Sequence, residues 1–178
     1  MDARLDFIFS RRSIRAFRDE VVPEEAERSI IEAAMSAPSA CQKDPWSFIV
    51  VRSKETLNAM ADALPNGQML RSAPMGILVC GDLAKAHGGE LSYLLQDCSA
   101  AIENMLLAAN ALKLGACWLG AHPREDRIEA MKKLFALPDS VIPVSAIAIG
   151  FPAEAKLPRS RFSDTAVHHE KWQTRPKA

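Results

Sequence analysis

Three guanidinium groups and a hydroxyl fall within five residues at Arg11-Arg12-Ser13-Ile14-Arg15. Arginine stays charged at physiological pH and its planar fork matches paired phosphate or carboxylate oxygens, so such a run is a candidate anion seat. Taken by itself it reads more simply as a solvated basic loop, since surface arginines are common. A second basic group, Leu157-Pro158-Arg159-Ser160-Arg161, lies almost at the other end of the chain. Lys plus Arg number 22 and Asp plus Glu also number 22, so the chain has no overall basic excess. Two arginine clusters against that neutral background are more suggestive than one, because folding or pairing of two copies can bring both to a single phosphate.

A third candidate is the loop Ala37-Pro38-Ser39-Ala40-Cys41-Gln42-Lys43-Asp44-Pro45-Trp46, polar and bounded by prolines. Other chemistries are poorly represented. The glycines of Gly115 to Gly120 share only their spacing with a phosphate-binding loop and lack its lysine. No G-x-G-x-x-G dinucleotide fingerprint occurs. Cys41, Cys80, Cys98 and Cys117 form no CxxC pair and no zinc spacing, so reduced thiols in a cytoplasmic protein are expected and no metal site is. Cys41 reads as a buried inert thiol, Trp118 as strand core, and His168, His169 and Trp172 as docking residues of the C-terminal segment. His122 stands either at a substrate site or in solvent.

The 178 residues, 48% hydrophobic, suit one domain with a substantial core. Neutral charge argues against nucleic-acid binding. No apolar run reaches the roughly 20 residues of a membrane span, and Asp2, Arg4 and Asp6 interrupt what an export signal would keep apolar. A short helix is expected over residues 3 to 9, and a second from Pro23 until Pro38 stops it. Trp46 to Val51 reads as a strand. Ser53 caps a helix carrying Leu57, Met60 and Leu64, ended by Pro65-Asn66-Gly67. Met75 to Cys80 reads as a strand covered on both faces. The longest helix runs from Glu90 to Leu114 with Gly115 as its stop. A strand over Ala116 to Gly120, a helix over Pro123 to Phe135 and a strand over Val144 to Gly150 follow. This alternation, taken alone, suggests a parallel doubly wound sheet.

The order of these pieces resembles the FMN-dependent nitroreductases over essentially the whole chain. The likeness runs through RRSIR, the Pro-Ser loop ending in Pro-Trp, Gln96-Asp97 on the long helix, Leu114 to Gly120, Ile149-Gly150-Phe151-Pro152 and LPRSR. It implies an α+β fold of three α/β/α layers, with a mixed, mostly antiparallel sheet, in place of the parallel one. It also implies a homodimer in which residues 1–150 form the FMN-binding domain and 151–178 a swapped C-terminal arm of that domain. By position, Arg11, Arg12, Ser13 and Arg15 match the contacts to the flavin phosphate, ribityl chain and pyrimidine edge. Pro38, Ser39 and Gln42 match a loop that reaches the flavin from the partner subunit. Leu119 and Gly120 match the turn along the isoalloxazine, Arg159 and Arg161 complete the phosphate site, and Gln68 and Met69 are weaker candidates.

The chain departs from the family where Gln42 replaces the usual Asn and Asp44 the usual Gln. Only Leu83 to Gly89 stand where longer members insert a helical excursion that walls the substrate pocket. The expected activity is ping-pong transfer of hydride from NADH or NADPH to small acceptors such as nitroaromatics or quinones. Flavin carries the redox step, so no protein acid or base is required. A cation such as Arg15 near the pyrimidine edge would stabilise the reduced, anionic cofactor. Dehalogenation, flavin fragmentation and enone reduction share the same site, and a flavin-binding module without turnover remains the alternative from another class.

Overall fold

Side chains of the second strand alternate between two separate cores. Met75, Ile77 and Val79 belong to one and Leu78 and Cys80 to the other, which is the period-two signature of a sheet covered on both faces. The structure is a computed structural model describing residues 2–173. Its main elements in chain order are α1 (Asp6–Phe9), α2 (Glu24–Met35), β1 (Trp46–Val51), α3 (Lys54–Ala63), β2 (Met75–Asp82), α4 (Leu91–Ala111), β3 (Gly115–Gly120), α5 (Glu125–Phe135) and β4 (Val141–Gly150). The strands lie in the order β1-β2-β4-β3 and every neighbouring pair is antiparallel. Helices α2 and α4 cover one face and α3 and α5 the other, so the architecture is a three-layer α+β fold.

The parallel sheet suggested by helix–strand alternation is therefore overturned. Periodicity reports which faces are buried, whereas strand direction depends on how far each helix and its loops carry the chain back. Among the described residues the parallel pairing is confined to a single bridge, Ser13 with Ala116, on the outer edge of β3. Strand β4 starts three residues earlier than its apolar pattern suggests and passes through Pro143. A proline in a central strand cannot donate to the ladder, and the register shifts at Val79/Cys80, where Pro143 faces Cys80.

The long helix is covered chiefly by its own chain. Leu94, Cys98, Ala101, Ile102, Met105 and Ala109 are buried against the sheet and α2, and Asn104 Nδ2 donates to the Ala33 carbonyl at 3.0 Å. Ser53 caps α3 as expected, accepting from the Thr56 N–H. Gly115, expected to stop α4, does something else. Lys113 takes the left-handed position at φ 62°, and Leu114 N donates to the Ala109 carbonyl at 2.8 Å, closing the helix in a Schellman-type turn. Gly115 opens β3, where a Cβ would lie 2.7 Å from Ile14 Cβ. Its missing side chain lets residues 13–17 approach the sheet edge, with Ile14 N donating to the Ala116 carbonyl at 3.0 Å.

Residues 151–173 are irregular apart from an antiparallel bridge between Pro152 and Phe17 and a short turn at Asp164–Ala166. Trp172 is 82% exposed and stacks on His168 with ring centroids 4.2 Å apart, so within one chain it is no docking anchor. The last five residues of the expected arm, 174–178, lie outside the described residues. No helix among the described residues is long and apolar enough to cross a membrane.

Gly115→Ala is expected to destabilise the protein by about 1–3 kcal/mol through overpacking against Ile14, more than the ~0.4–1 kcal/mol a glycine-to-alanine change can return through the unfolded chain. Urea unfolding checks this, and Ile14→Ala combined with Gly115→Ala should cost less than the sum of the two single changes.

Candidate active site

The arginine-rich segment is held from two sides. On one it bridges to β3. On the other, Arg18 N donates to the Phe151 carbonyl at 2.8 Å and Ala153 N to the Ala16 carbonyl at 2.9 Å. Glu154 then accepts from the N–H groups of Arg15 at 2.6 Å and Ala16 at 3.3 Å. Lys156 Nζ donates to the Ser13 carbonyl at 2.7 Å and pairs with Glu154 at 2.9 Å, and Arg12 Nη1 donates to the Leu157 carbonyl. The backbone N–H of Arg15 and then the Lys156 ammonium hold the Glu154 carboxyl below its ordinary value of 4.5.

Folding brings the two arginine clusters together. Arg11, Arg12, Ser13, Arg15, Lys156, Arg159 and Arg161 line one cavity of about 540 Å³, closed by Ile8, Phe9, Ser160 and Phe162. Arg11 leans on Glu103 of α4 at 3.5 Å. The guanidinium groups of Arg15, Arg159 and Arg161 have no carboxylate partner among the described residues. Uncompensated cations converging on a cavity favour an anion there.

A second cavity of about 470 Å³ adjoins the first through Arg15. Leu64, Asn66, Gly67 and Met69 from the turn before β2, Cys117 to Gly120 from β3, and Arg127 from α5 complete its wall. Met69, Leu119 and Gly120 thus share one cavity wall. Gln68 does not line it: its Nε2 donates to the Ala61 carbonyl and its Oε1 accepts from Arg71, both at 3.0 Å. Trp118, expected in the core, is 39% exposed and faces this cavity. Burial raises the Cys117 thiol, an effect that the Arg15 and Lys156 cations partly offset. Cys80 and Cys98 are pushed up to about 12 by burial and are inert at neutral pH.

Pro38, Ser39 and Gln42 lie apart from both cavities in this chain, lining a separate hollow with Met35, Ala37 and Asp44. Cys41, Gln42 and Asp44 all have positive φ, between 47° and 55°, a conformation that costs a non-glycine residue about 1–2 kcal/mol. Two carboxylates brace the loop. Asp44 accepts from the Ser39 hydroxyl at 2.5 Å and returns its own N–H to it at 3.0 Å, while buried Asp97 accepts from Ala40 N at 2.9 Å. Asp44 is thus explained as an internal brace, and it engages the Ser39 hydroxyl. Cys41 is exposed, contrary to the buried thiol expected, with its Sγ 4.0 Å from His87 Nε2. His122 lines neither cavity. No group of three or more His, Cys, Asp or Glu side chains among the described residues is placed to hold a metal ion.

Sequence reasoning missed Glu154, Lys156, Phe162 and Arg127. Lys156 adjoins the second basic cluster and was open to inclusion on that ground. Glu154 carries no motif, and Arg127 sits in an amphipathic helix among other charges, so only folding identifies either.

The geometry has counterparts among known proteins. The model of the Nitroreductase family matches residues 8–68 and 61–151. A Methanothermobacter thermautotrophicus protein provisionally named NADH dehydrogenase/NAD(P)H nitroreductase is 46% identical over 94% of this chain and 87% of its own length. The solved structure of a similarly named protein from Parabacteroides distasonis superposes with a TM-score of 0.91 at 37% identity, covering 97% of this chain and all of that one. A provisionally named nitroreductase from Desulfovibrio desulfuricans, solved in complex with FMN, superposes with a TM-score of 0.82 at 34% identity over 97% of this chain and 99% of that one.

Glu154→Gln is expected to loosen residues 13–17 at neutral pH. Because the folded carboxyl titrates below its ordinary value, its stabilisation is fully present above about 4.5 and is lost as pH falls through the lower folded value. Unfolding free energies of the two proteins should differ at pH 7 by no more than about 1 kcal/mol, since the pair is partly water-accessible, and should converge in acid. Parallel curves down to pH 3 would show that Glu154 holds nothing.

Proposed function

The chain belongs to the nitroreductase family, and from that premise we propose that it is an FMN-dependent NAD(P)H oxidoreductase reducing small acceptors such as nitroaromatics or quinones. The observation that carries this reading is the meeting of two unlike cavities at Arg15, one ringed by cations of which Arg15, Arg159 and Arg161 have no carboxylate partner among the described residues, the other walled by Leu64, Met69, Trp118 and Leu119. The residues present fit FMN: a terminal monophosphate suits the cation-lined cavity, and a planar ring with apolar faces and a polar edge suits its neighbour, where Arg15 stands beside the apolar wall. Arg11, Arg12, Ser13, Arg159 and Arg161, joined by Lys156, would hold the phosphate end. Arg15, Met69, Leu119 and Gly120 would hold the ring. Gln68 supports the wall through its bonds to Ala61 and Arg71.

Bound FMN supplies the redox chemistry, accepting hydride from NADH or NADPH and passing it to the acceptor. The protein's share is placement and electrostatics. The arginines neutralise the phosphate, Arg15 offers positive charge where the two cavities join, and the apolar wall keeps water from the ring. The ring cavity is lined by no carboxylate or imidazole, which favours solvent as the source of protons. Absence of a dinucleotide fingerprint favours donor and acceptor taking turns on one face.

The reading extends to a cytoplasmic homodimer, with residues 1–150 as the cofactor domain and 151–178 as an arm crossing to the partner. Leu157 and Phe162 are largely exposed, as are parts of Leu5, Phe7 and Ile8, and a second copy would bury them. The distance of the Pro38-Ser39-Gln42 loop from its own arginines fits a role at the partner's flavin. With Ser39 already engaged by Asp44, Gln42 is the loop's freer polar contact.

Acid release from purified protein should yield FMN, and the holoprotein should oxidise NADH or NADPH anaerobically when a quinone is added. Arg15→Ala should weaken FMN binding at least about tenfold, the loss of a charge-assisted bond worth about 1.5–3 kcal/mol. Unchanged affinity in titration would mean that Arg15 is a surface charge. Truncation after Gly150 should weaken both dimerisation and FMN retention, and a stable truncated dimer with stoichiometric FMN would show the arm to be dispensable.

A further inference from the structure

Arg127 is the cation of the second cavity that the phosphate end does not account for. Arg15 borders both cavities, whereas Arg127 borders only the one walled by Leu64, Met69, Trp118 and Leu119. Its Nη1 donates to the Gly120 carbonyl at 2.9 Å, which fixes the side chain against the end of β3. Its Nε is buried and has no acceptor, and no carboxylate among the described residues pairs with it. Glu125 and Asp126 belong to the same helical turn but are exposed and do not line the cavity. Burial shuts Nε off from the cavity, so Nη2, which has no partner among the described residues, is the donor left to a ligand, and an unpaired guanidinium beside an apolar wall favours a carboxylate. We propose that Arg127 is a specificity-determining residue of the acceptor site, and that the preferred acceptors are planar aromatics bearing a carboxylate. The inference rests on the oxidoreductase reading above.

For a nitrobenzoate the first step takes hydride from the donor and one proton from solvent. The nitro group becomes nitroso, one oxygen leaves as water, and the carboxylate is unchanged. Arg127 takes no part in the bond changes. It anchors the carboxylate and so sets which end of the ring enters first, the kind of recognition an apolar wall alone provides poorly.

The test compares 4-nitrobenzoate with its methyl ester, which carries no charge and is intrinsically the easier of the two to reduce. The holoenzyme should nonetheless show the higher kcat/KM for the acid, mainly through KM, and should bind benzoate, which it does not reduce, more tightly than benzamide. In Arg127→Gln the acid-to-ester ratio should fall at least about tenfold, and Arg127→Lys should restore part of it. FMN content and thermal unfolding of each protein are measured on the same samples. A yellow wild type with no preference for the acid overturns the proposal while leaving the functional reading intact. A wild type that takes up no FMN overturns both. A variant that changes the NADPH-to-NADH ratio instead, or loses FMN with its acid-to-ester ratio unaltered, assigns Arg127 to the donor or the cofactor and overturns the proposal as well.

Discussion

Residues 13–17 are clamped between the edge of β3 and the stretch following β4, and both cavities depend on that clamp. Ile14 reaches the sheet because Gly115 has no side chain to keep it away. Glu154 and Lys156 hold the other flank through backbone groups. The arginines are thereby fixed by their main chain, which leaves several guanidinium groups unpaired and facing open space. A cluster anchored through its own side chains would have used up the charges it presents.

The rest of the sheet serves this edge. Placing β4 between β2 and β3 brings the end of β4 alongside the start of β3, so the segment leaving β4 necessarily runs beside the residues that flank β3. The antiparallel order therefore does more than cover two cores. It puts a segment from the beginning of the chain and one from its end on the same side of the molecule. A parallel doubly wound sheet would have placed its ligand crevice at the carboxyl ends of the strands.

Charge is distributed with the same economy. The chain is neutral overall, yet carboxylates are placed where they brace backbone. Glu154 supports the arginine segment, and Asp97 and Asp44 support the Pro-Ser loop. That loop holds three residues at positive φ without a glycine, and the two braces offset the conformational cost. Substitution of Asp at 44 for the residue usual in the family is thus compensated locally by its mutual bonds with Ser39.

Much of the fold was legible in the residues themselves because burial imposes periodicity. Trp46–Val51 matches its expected strand, the β2 and β3 boundaries fall within two residues, and the Ser53 cap and the amphipathic stripe of α4 are local signals read without knowing the partners. The order of motifs likewise identified the family, and the arginine types marked two clusters that share one cavity. Strand direction and order were decided only in three dimensions, since alternation of apolar residues is the same for either direction. So were the roles of Gly115, a close approach where a helix stop was expected, and of Trp118, a cavity wall where core was expected. Glu154 and Arg127 depend on partners 139 and 7 residues away, and no pattern along the chain encodes either contact. The sequence by itself determined which side chains seek burial and which seek an anion, because those are properties of the residues. Which cations share a cavity and which are left unpaired was decided by the tertiary structure, because pairing is a property of distance.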